Sequence, residues 1–309
     1  MTGLPIIDFA GFAADDPAGK REVARALRGA LESCGFFYLR NHGLQKSQID
    51  AVFEQSQRFF ASPQGVKNTV RPERAGSSRG YEGIGLQALD EGQPGDLKEI
   101  YHCGPERAGA RPTLWPVGMD SFKSVLLSYQ KSAGECCQRL LRAIALSLTL
   151  PEDYFAEFFE GADSTLRLLH YPPVVAAPLL GQLRAGAHTD FGGISMLVQD
   201  ESGGLEVQVR DGSWVAAPPI PDTAMVNTGD LLERWTNGLF RSSPHRVVPF
   251  GDAPPNDRYS VVLFYSPHRD TVISCLEPCQ SADNPAKYPP VTAGEHVRAR
   301  AQGSRRATY

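Results

Sequence analysis

Three side chains of the kind that bind a catalytic metal stand out in this sequence. His188 and Asp190 are separated by Thr189, and His245 follows well downstream in Ser243-Pro244-His245-Arg246. In an extended segment, residues two apart point to the same face, so His188 and Asp190 present an imidazole and a carboxylate to one point. That spelling alone also describes a solvated pair at a strand end, and the second imidazole is what makes it a ligand set. Two histidines and one carboxylate leave about half the positions of an octahedral ion open. Open positions mean chemistry, because structural metal sites are closed. Zinc suits the same donors, so the set leaves the metal's identity open.

A second pair lies past His245. Arg258 and Ser260, again two apart, precede the apolar run Val261-Val262-Leu263-Phe264. A guanidinium fork and a hydroxyl on one face suit a carboxylate held by charge-assisted hydrogen bonds. A surface arginine beside a strand hydroxyl has the same spelling. Phe264 shares strand parity with Arg258 and points to the same interior, as core packing or as a substrate contact.

The elements that must position these residues fall into two styles. Asp16-Pro17 offers a cap and a first-turn proline, and Val23, Leu27, Ala30, Leu31 and Cys34 recur at helical spacing up to Gly35. Phe36-Phe37-Tyr38-Leu39 then reads as a short buried strand ended by Asn41-His42-Gly43. Further helices are expected from about Ser47 to Phe60, over a long stretch from Phe122 to before Pro151, and through Tyr154–Phe159. The glycines between Gly76 and Gly95 predict a tightly turned loop or a moving lid. From Thr165 onward the pattern changes to short β-prone runs separated by Gly, Pro and Asp, which predicts an all-β sandwich or barrel. The fold class is α+β.

Composition sets the outer bounds. The chain has 309 residues, a formal charge of −4, 41% apolar and 21% charged residues, which excludes disordered and collagen-like classes. The slight negative charge argues against a nucleic-acid surface, and Arg298, Arg300, Arg305 and Arg306 read as a solvated basic tail. No apolar run approaches the ~20 residues needed to span a bilayer, and MTGLPIIDF lacks a signal peptide's basic flank and long apolar core. The expected location is cytoplasmic and the expected partner a small molecule, with neither nucleic acid nor membrane. Six cysteines without CxxC or zinc-finger spacing read as reduced thiols.

The order and spacing of HTDFG (His188–Gly192), GDLLERWTNG (Gly229–Gly238), SPHRV (Ser243–Val247) and RYS (Arg258–Ser260) resemble the non-haem Fe(II)/2-oxoglutarate-dependent dioxygenases related to isopenicillin N synthase. LPIIDF (Leu4–Phe9), GFFYLRNHG (Gly35–Gly43), Gly80-Tyr81, DLKEIY (Asp96–Tyr101), LRLLHYPP (Leu166–Pro173) and YPPVTAGEH (Tyr288–His296) extend the similarity over nearly the whole chain.

The resemblance implies one domain over residues 1–309: a mainly helical part (1–164), a double-stranded β-helix (jelly-roll, cupin-like) core carrying the iron site (165–296) and the basic tail (297–309). It makes His188, Asp190 and His245 the ligands of Fe(II). Arg258 and Ser260 become the clamp on the distal carboxylate of 2-oxoglutarate, assisted by the Tyr171 hydroxyl. Leu169 stands where many relatives have Asn. Phe264 matches an aromatic substrate platform, and Phe191 is a further candidate substrate contact. Asp96, Lys98 and Glu99 look architectural, Asp230 is expected in a turn bracing the second iron histidine's neighbourhood, and the remaining histidines read as structural or exposed. The implied reaction consumes O2 and 2-oxoglutarate, releases succinate and CO2, and oxidises a free small molecule by hydroxylation, desaturation or ring closure, with ascorbate as a candidate reductant. A 2-oxoglutarate-independent iron oxidase of the isopenicillin N synthase type, and a catalytically silent small-molecule-binding protein on the same fold, carry the same residues.

Overall fold

The computed structural model describes residues 3–73, 79–90, 92–108, 110–174, 178–249 and 256–303. Its first part runs β1 (Ile6–Asp8), α1 (Ala10–Ala13), α2 (Pro17–Ser33), β2 (Phe36–Arg40), α3 (Lys46–Phe60), α4 (Gln64–Asn68), β3 (Gly80–Glu82), β4 (Glu99–Cys103) and α5 (Phe122–Ser147). The second part runs β5 (Asp163–Tyr171), β6 (Ala185–His188), β7 (Ile194–Gln199), β8 (Leu205–Gln208), β9 (Trp214–Ala216), β10 (Thr223–Thr228), α6 (Asp230–Trp235), β11 (His245–Val247), β12 (Arg258–Ser266), β13 (Val272–Ile273), β14 (Val291–Thr292) and α7 (Ala293–Gly303).

Local chemistry explains the principal helices. The Asp16 carboxylate accepts hydrogen bonds from Ala18 N (3.2 Å) and Gly19 N (2.8 Å), Pro17 occupies the first turn of α2, and Val23, Ala24, Leu27, Ala30 and Leu31 form its buried stripe. The chain leaves α2 through Gly35 at φ +70°, where an added Cβ would collide with the carbonyl oxygen of Arg241. Both α2 and α3 pack on α5, whose buried face meets β5, β7 and β12.

Two sheets face each other. The larger has the order β1-β2-β10-β7-β12-β5-β4-β3, and the smaller β6-β11-β8-β9. One apolar core fills the space between the large sheet and the helices, with Leu27, Phe59, Tyr101, Phe122, Leu140 and Phe155 at its centre. A second fills the space between the sheets, with Phe36, Tyr38, Leu169, Tyr171, Val207, Met225 and Val262. The architecture is a double-stranded β-helix with helices on its outer face.

The structure departs from the sequence reading in three places. Residues 1–164 are mainly helical but also supply strands of the large sheet beyond the one expected at Phe36–Leu39: β1 and β2 complete one end, and β4 and β3 the other. The three-residue strands are too short to show a period, and β4 is buried on both faces, so no alternation marks it. The helix expected through Tyr154–Phe159 is a single 3-10 turn at Glu157–Phe159, confined between Pro151 and Gly161. Arg298 and Arg300 are exposed, as expected, but lie on the helix α7 and not in an irregular tail, whereas Arg305 and Arg306 lie outside the described residues.

Candidate active site

The β6–β11 ladder is antiparallel and places His188 directly opposite His245, with ring centroids 4.2 Å apart. Asp190 lies just past the end of β6, and its Oδ1 is 3.8 Å from His245 Nε2. Among the described residues, the donor atoms of His188, Asp190 and His245 all fall within 4.8 Å of one another, close enough to share one metal ion.

Each ligand is held by an atom the metal does not need. His188 Nδ1 lies 2.8 Å from the Gly186 carbonyl and His245 Nδ1 3.3 Å from the Ser243 carbonyl. Donation from both Nδ1 atoms leaves both Nε2 lone pairs for the metal. Asp190 Oδ2 accepts from Ser195 Oγ (2.6 Å) and Asn227 Nδ2 (2.7 Å), which leaves Oδ1 for the metal. Burial, with the charges of His245 and Lys98, lowers the His188 pKa well below the usual histidine range, a direction that favours the neutral ring a metal ligand needs. The donor set therefore fits a divalent iron with open positions.

The first residue of β12 is the cationic group, Arg258. Arg258 is fully buried, pairs across the ladder with Tyr171, and stands 4.7 Å over that ring. Its Nε donates to Gly203 O (2.7 Å), Nη1 to Ser260 Oγ (3.3 Å) and Nη2 to Gln199 Oε1 (2.9 Å). Ser260 is also fully buried and lies opposite Leu169, an apolar member of the inter-sheet core. Arg184 sits nearby, donating to Pro172 O (3.1 Å) and Asn256 O (2.6 Å), and burial together with the charge of Arg258 lowers its pKa. Two buried guanidinium groups side by side give this end of the β12–β5 ladder an anion-attracting character.

Phe264 packs against the inter-sheet core, with the Arg167 guanidinium 4.6 Å above its ring. Phe191 lies beneath Arg300 of α7 at 5.2 Å, and Arg300 also bonds Asp230 Oδ2 (2.9 Å) and Thr189 Oγ1 (2.8 Å). Asp230 opens α6, and its backbone N–H donates to Asp190 O at 2.8 Å. The C-terminal helix is thus fastened to the loop that carries the metal carboxylate. Of the glycine-rich segment, 74–78 and 91 lie outside the described residues. The remainder is tied down by bonds from Gly85 N to Asp96 O (3.0 Å), Asp96 N to Gln87 O (2.8 Å) and Gln182 Nε2 to Gly95 O (2.7 Å).

The other histidines have structural surroundings. His170 bridges Glu99 (2.7 Å) and Asp257 (2.6 Å) and stacks on Tyr259, and His42 accepts from Leu44 N (3.1 Å). Sequence reasoning missed Ser195, Asn227, Arg184 and Gln199, and took Asp96 and Lys98 as architectural. Strand parity alone singles out Ser195 and Gln199, which pair across β7–β12 with Phe264 and Ser260.

Two imidazoles and a carboxylate with open coordination positions, between the sheets of a double-stranded β-helix, define a non-haem metal oxygenase of the 2-His-1-carboxylate class. Residues 162–267 match the 2OG-Fe(II) oxygenase superfamily, and residues 4–118 match the family described as non-haem dioxygenase in morphine synthesis N-terminal. The chain is 33% identical to the 2-oxoglutarate-Fe(II) type oxidoreductase hxnY of Emericella nidulans, over 96% of this chain and 89% of that one. A full-length Neurospora crassa protein crystallised in complex with alpha-KG superposes with a TM-score of 0.89 at 34% identity, covering 97% of this chain and 96% of that one. The same Neurospora crassa protein has also been crystallised with alpha-KG and thymine. A 2OG-Fe(II) oxygenase family protein from Caulobacter crescentus superposes at 0.87 with 33% identity, covering 98% and 99% of the two chains. The chain belongs to the 2OG-Fe(II) oxygenase superfamily and is a 2-oxoglutarate-Fe(II) type oxidoreductase that uses Fe(II) and 2-oxoglutarate.

Proposed function

We propose that this enzyme hydroxylates a free small molecule, coupling the oxidation to conversion of 2-oxoglutarate and O2 into succinate and CO2. The observation that carries the reading is a set of three side chains able to share one metal, beside which the chain carries a fully buried arginine and serine on β12. When bound, iron supplies the redox chemistry that splits dioxygen and oxidises the substrate's C–H bond.

This chain's residues supply position and exclusion of water. Arg258 and Ser260 hold the distal carboxylate of 2-oxoglutarate by charge-assisted hydrogen bonds, with Tyr171 beneath the guanidinium. Fixing that end restricts the keto-acid end to one orientation at the metal, so positioning substitutes for collision. The apolar wall of Leu169, Val262 and Leu197 keeps water from the reacting centre. Phe264 offers a flat apolar contact to the substrate, and Phe191, beside the metal carboxylate's loop, a second.

A free small-molecule substrate is supported by the Neurospora crassa relative, whose crystal structure holds alpha-KG and thymine. Family membership favours the 2-oxoglutarate-dependent reading over the iron oxidase and the silent binder. A cytoplasmic location fits six cysteines that are all free thiols, and no described helix is long and apolar enough to cross a membrane.

The test is a panel of small molecules scored by stimulated succinate formation, with His188→Ala as the blank. Anaerobic addition of Fe(II) and then 2-oxoglutarate is expected to give the visible charge-transfer band of the chelate. No band, or succinate formation equal to that of the blank for every panel member, would overturn the proposal.

A further inference from the structure

Behind His188 lies a buried ion pair. Lys98 Nζ is 2.7 Å from Asp96 Oδ2, and the two side chains are 1% and 3% exposed. Removing both charges from water is costly, and such a pair is weak evidence for stability in itself. The pair leads somewhere. The other oxygen, Asp96 Oδ1, accepts the backbone N–H of Gly186 at 2.9 Å. The carbonyl of that same glycine faces His188 Nδ1 at 2.8 Å.

Gly186 is the position where such a hold matters. A glycine has the widest backbone freedom of any residue, and here it lies two residues before a metal ligand whose ring its carbonyl orients. It also has to be a glycine: a Cβ would come within 2.8 Å of the backbone N of Asp90 and 3.3 Å of Asp96 Oδ1. The close approach that excludes a side chain removes the steric restraint a side chain would give. The segment that bears Asp96 is anchored independently, with Leu97 N donating to Leu183 O (3.0 Å) and Asp96 N to Gln87 O (2.8 Å).

We propose that Asp96 is a positioning residue for the iron ligand His188, acting through the backbone of Gly186, and that Lys98 keeps its carboxylate aimed. The inference rests on His188 being a metal ligand. A carboxylate serves two donors at once, one on each oxygen. A carboxamide has a single acceptor oxygen, and with Lys98 present that oxygen turns to the ammonium and leaves Gly186 N–H facing an NH2 group.

This asymmetry sets the test. Co(II), a spectroscopic stand-in for Fe(II), is titrated into the full-length protein and followed by its visible d–d bands. Asp96→Asn is expected to weaken binding about 10- to 100-fold, the range typical of lost ligand-orienting contacts, and to alter the band shape. The double variant Asp96→Asn with Lys98→Met frees the amide oxygen for Gly186 and is expected to recover most of the affinity and the original spectrum. Wild-type affinity and spectrum in Asp96→Asn would overturn the proposal, as would failure of the double variant to recover them. Independently of any variant, the Gly186 amide is expected to be protected from hydrogen exchange in the metal-free protein, and exchange at loop rates would also overturn it. A wild-type protein that binds Co(II) no better than His188→Ala would instead remove the metal reading itself, and this inference with it.

Discussion

Arg258 lies directly across the β12–β5 ladder from Tyr171, its guanidinium 4.7 Å over the phenol ring, and reaches no solvent. A buried fork stacked on an aromatic face is a geometry lysine cannot reproduce. Arg258→Lys is therefore expected to raise the KM for 2-oxoglutarate by about 10-fold or more, the scale of one lost charge-assisted hydrogen bond, while metal affinity stays within about twofold of wild type. Steady-state titration with 2-oxoglutarate checks the first and Co(II) binding the second. Equal loss of both would place the guanidinium in the fold's stability and not in cosubstrate binding.

Asp190 would offer a metal one oxygen, Oδ1, because Ser195 and Asn227 occupy the other. Removing both donors, in Ser195→Ala with Asn227→Ala, lets the carboxylate rotate and leaves a buried oxygen unsatisfied. Metal affinity is expected to fall about 10-fold or more, measured by competition with a metal-binding dye. An unchanged dissociation constant would show that the backbone of the turn after β6 alone orients Asp190.

A ligand that binds only the folded state stabilises it in proportion to the logarithm of its concentration over Kd. At 100 times Kd the gain is about 2.7 kcal/mol. Adding Fe(II) under anaerobic conditions is expected to raise Tm by several degrees, and EDTA to reverse it. The shift should vanish in His188→Ala and in His245→Ala, and persistence in either variant would contradict a shared site.

Glu99 links the helices to the sheet, bonding Lys67 Nζ (2.8 Å), Tyr81 OH (2.6 Å) and His170 Nδ1 (2.7 Å). Burial alone would raise its pKa, but the bonds from His170, Lys67 and Tyr81 outweigh burial and lower it. A depressed folded-state value means the stabilisation is present above the unfolded glutamate pKa of about 4.3 and is lost as pH falls through the folded value. Glu99→Gln, which leaves Lys67 buried without its anion, is expected to cost about 3 kcal/mol at pH 7 and to flatten the acid limb of the stability profile. Urea midpoints across pH 3 to 7 report both. A parallel downward shift of the whole curve, with the acid limb unchanged, would assign the loss to packing.

How much was legible in the sequence depends on distance along the chain. Arg258 and Ser260 share a face because residues two apart in a strand must, whereas Asp190 lies just past the end of β6 and meets His188 only through the turn that follows the strand. The stripe of α2 from Val23 to Leu31 was readable from period and cap alone. β4 was not, since burial on both faces removes the alternation that marks a strand.

The chemistry on offer is written in the residues themselves: two imidazoles, one carboxylate, an arginine with a hydroxyl, and the local periods that point them inward. Which groups complete the site depends on contacts made across the folded chain. Asp96 meets Gly186 across 90 residues of chain, and Asn227 meets Asp190 across 37. Arg300 reaches Thr189 across 111. No period or turn encodes such contacts, because they exist only once the sheets have closed on each other and the last helix has packed on the loop between them. Local rules act over a few residues and suffice for the contacts of His188 with Gly186 and of His245 with Ser243, whereas the groups that hold Gly186 and Asp190 in turn are ones the fold brings against them.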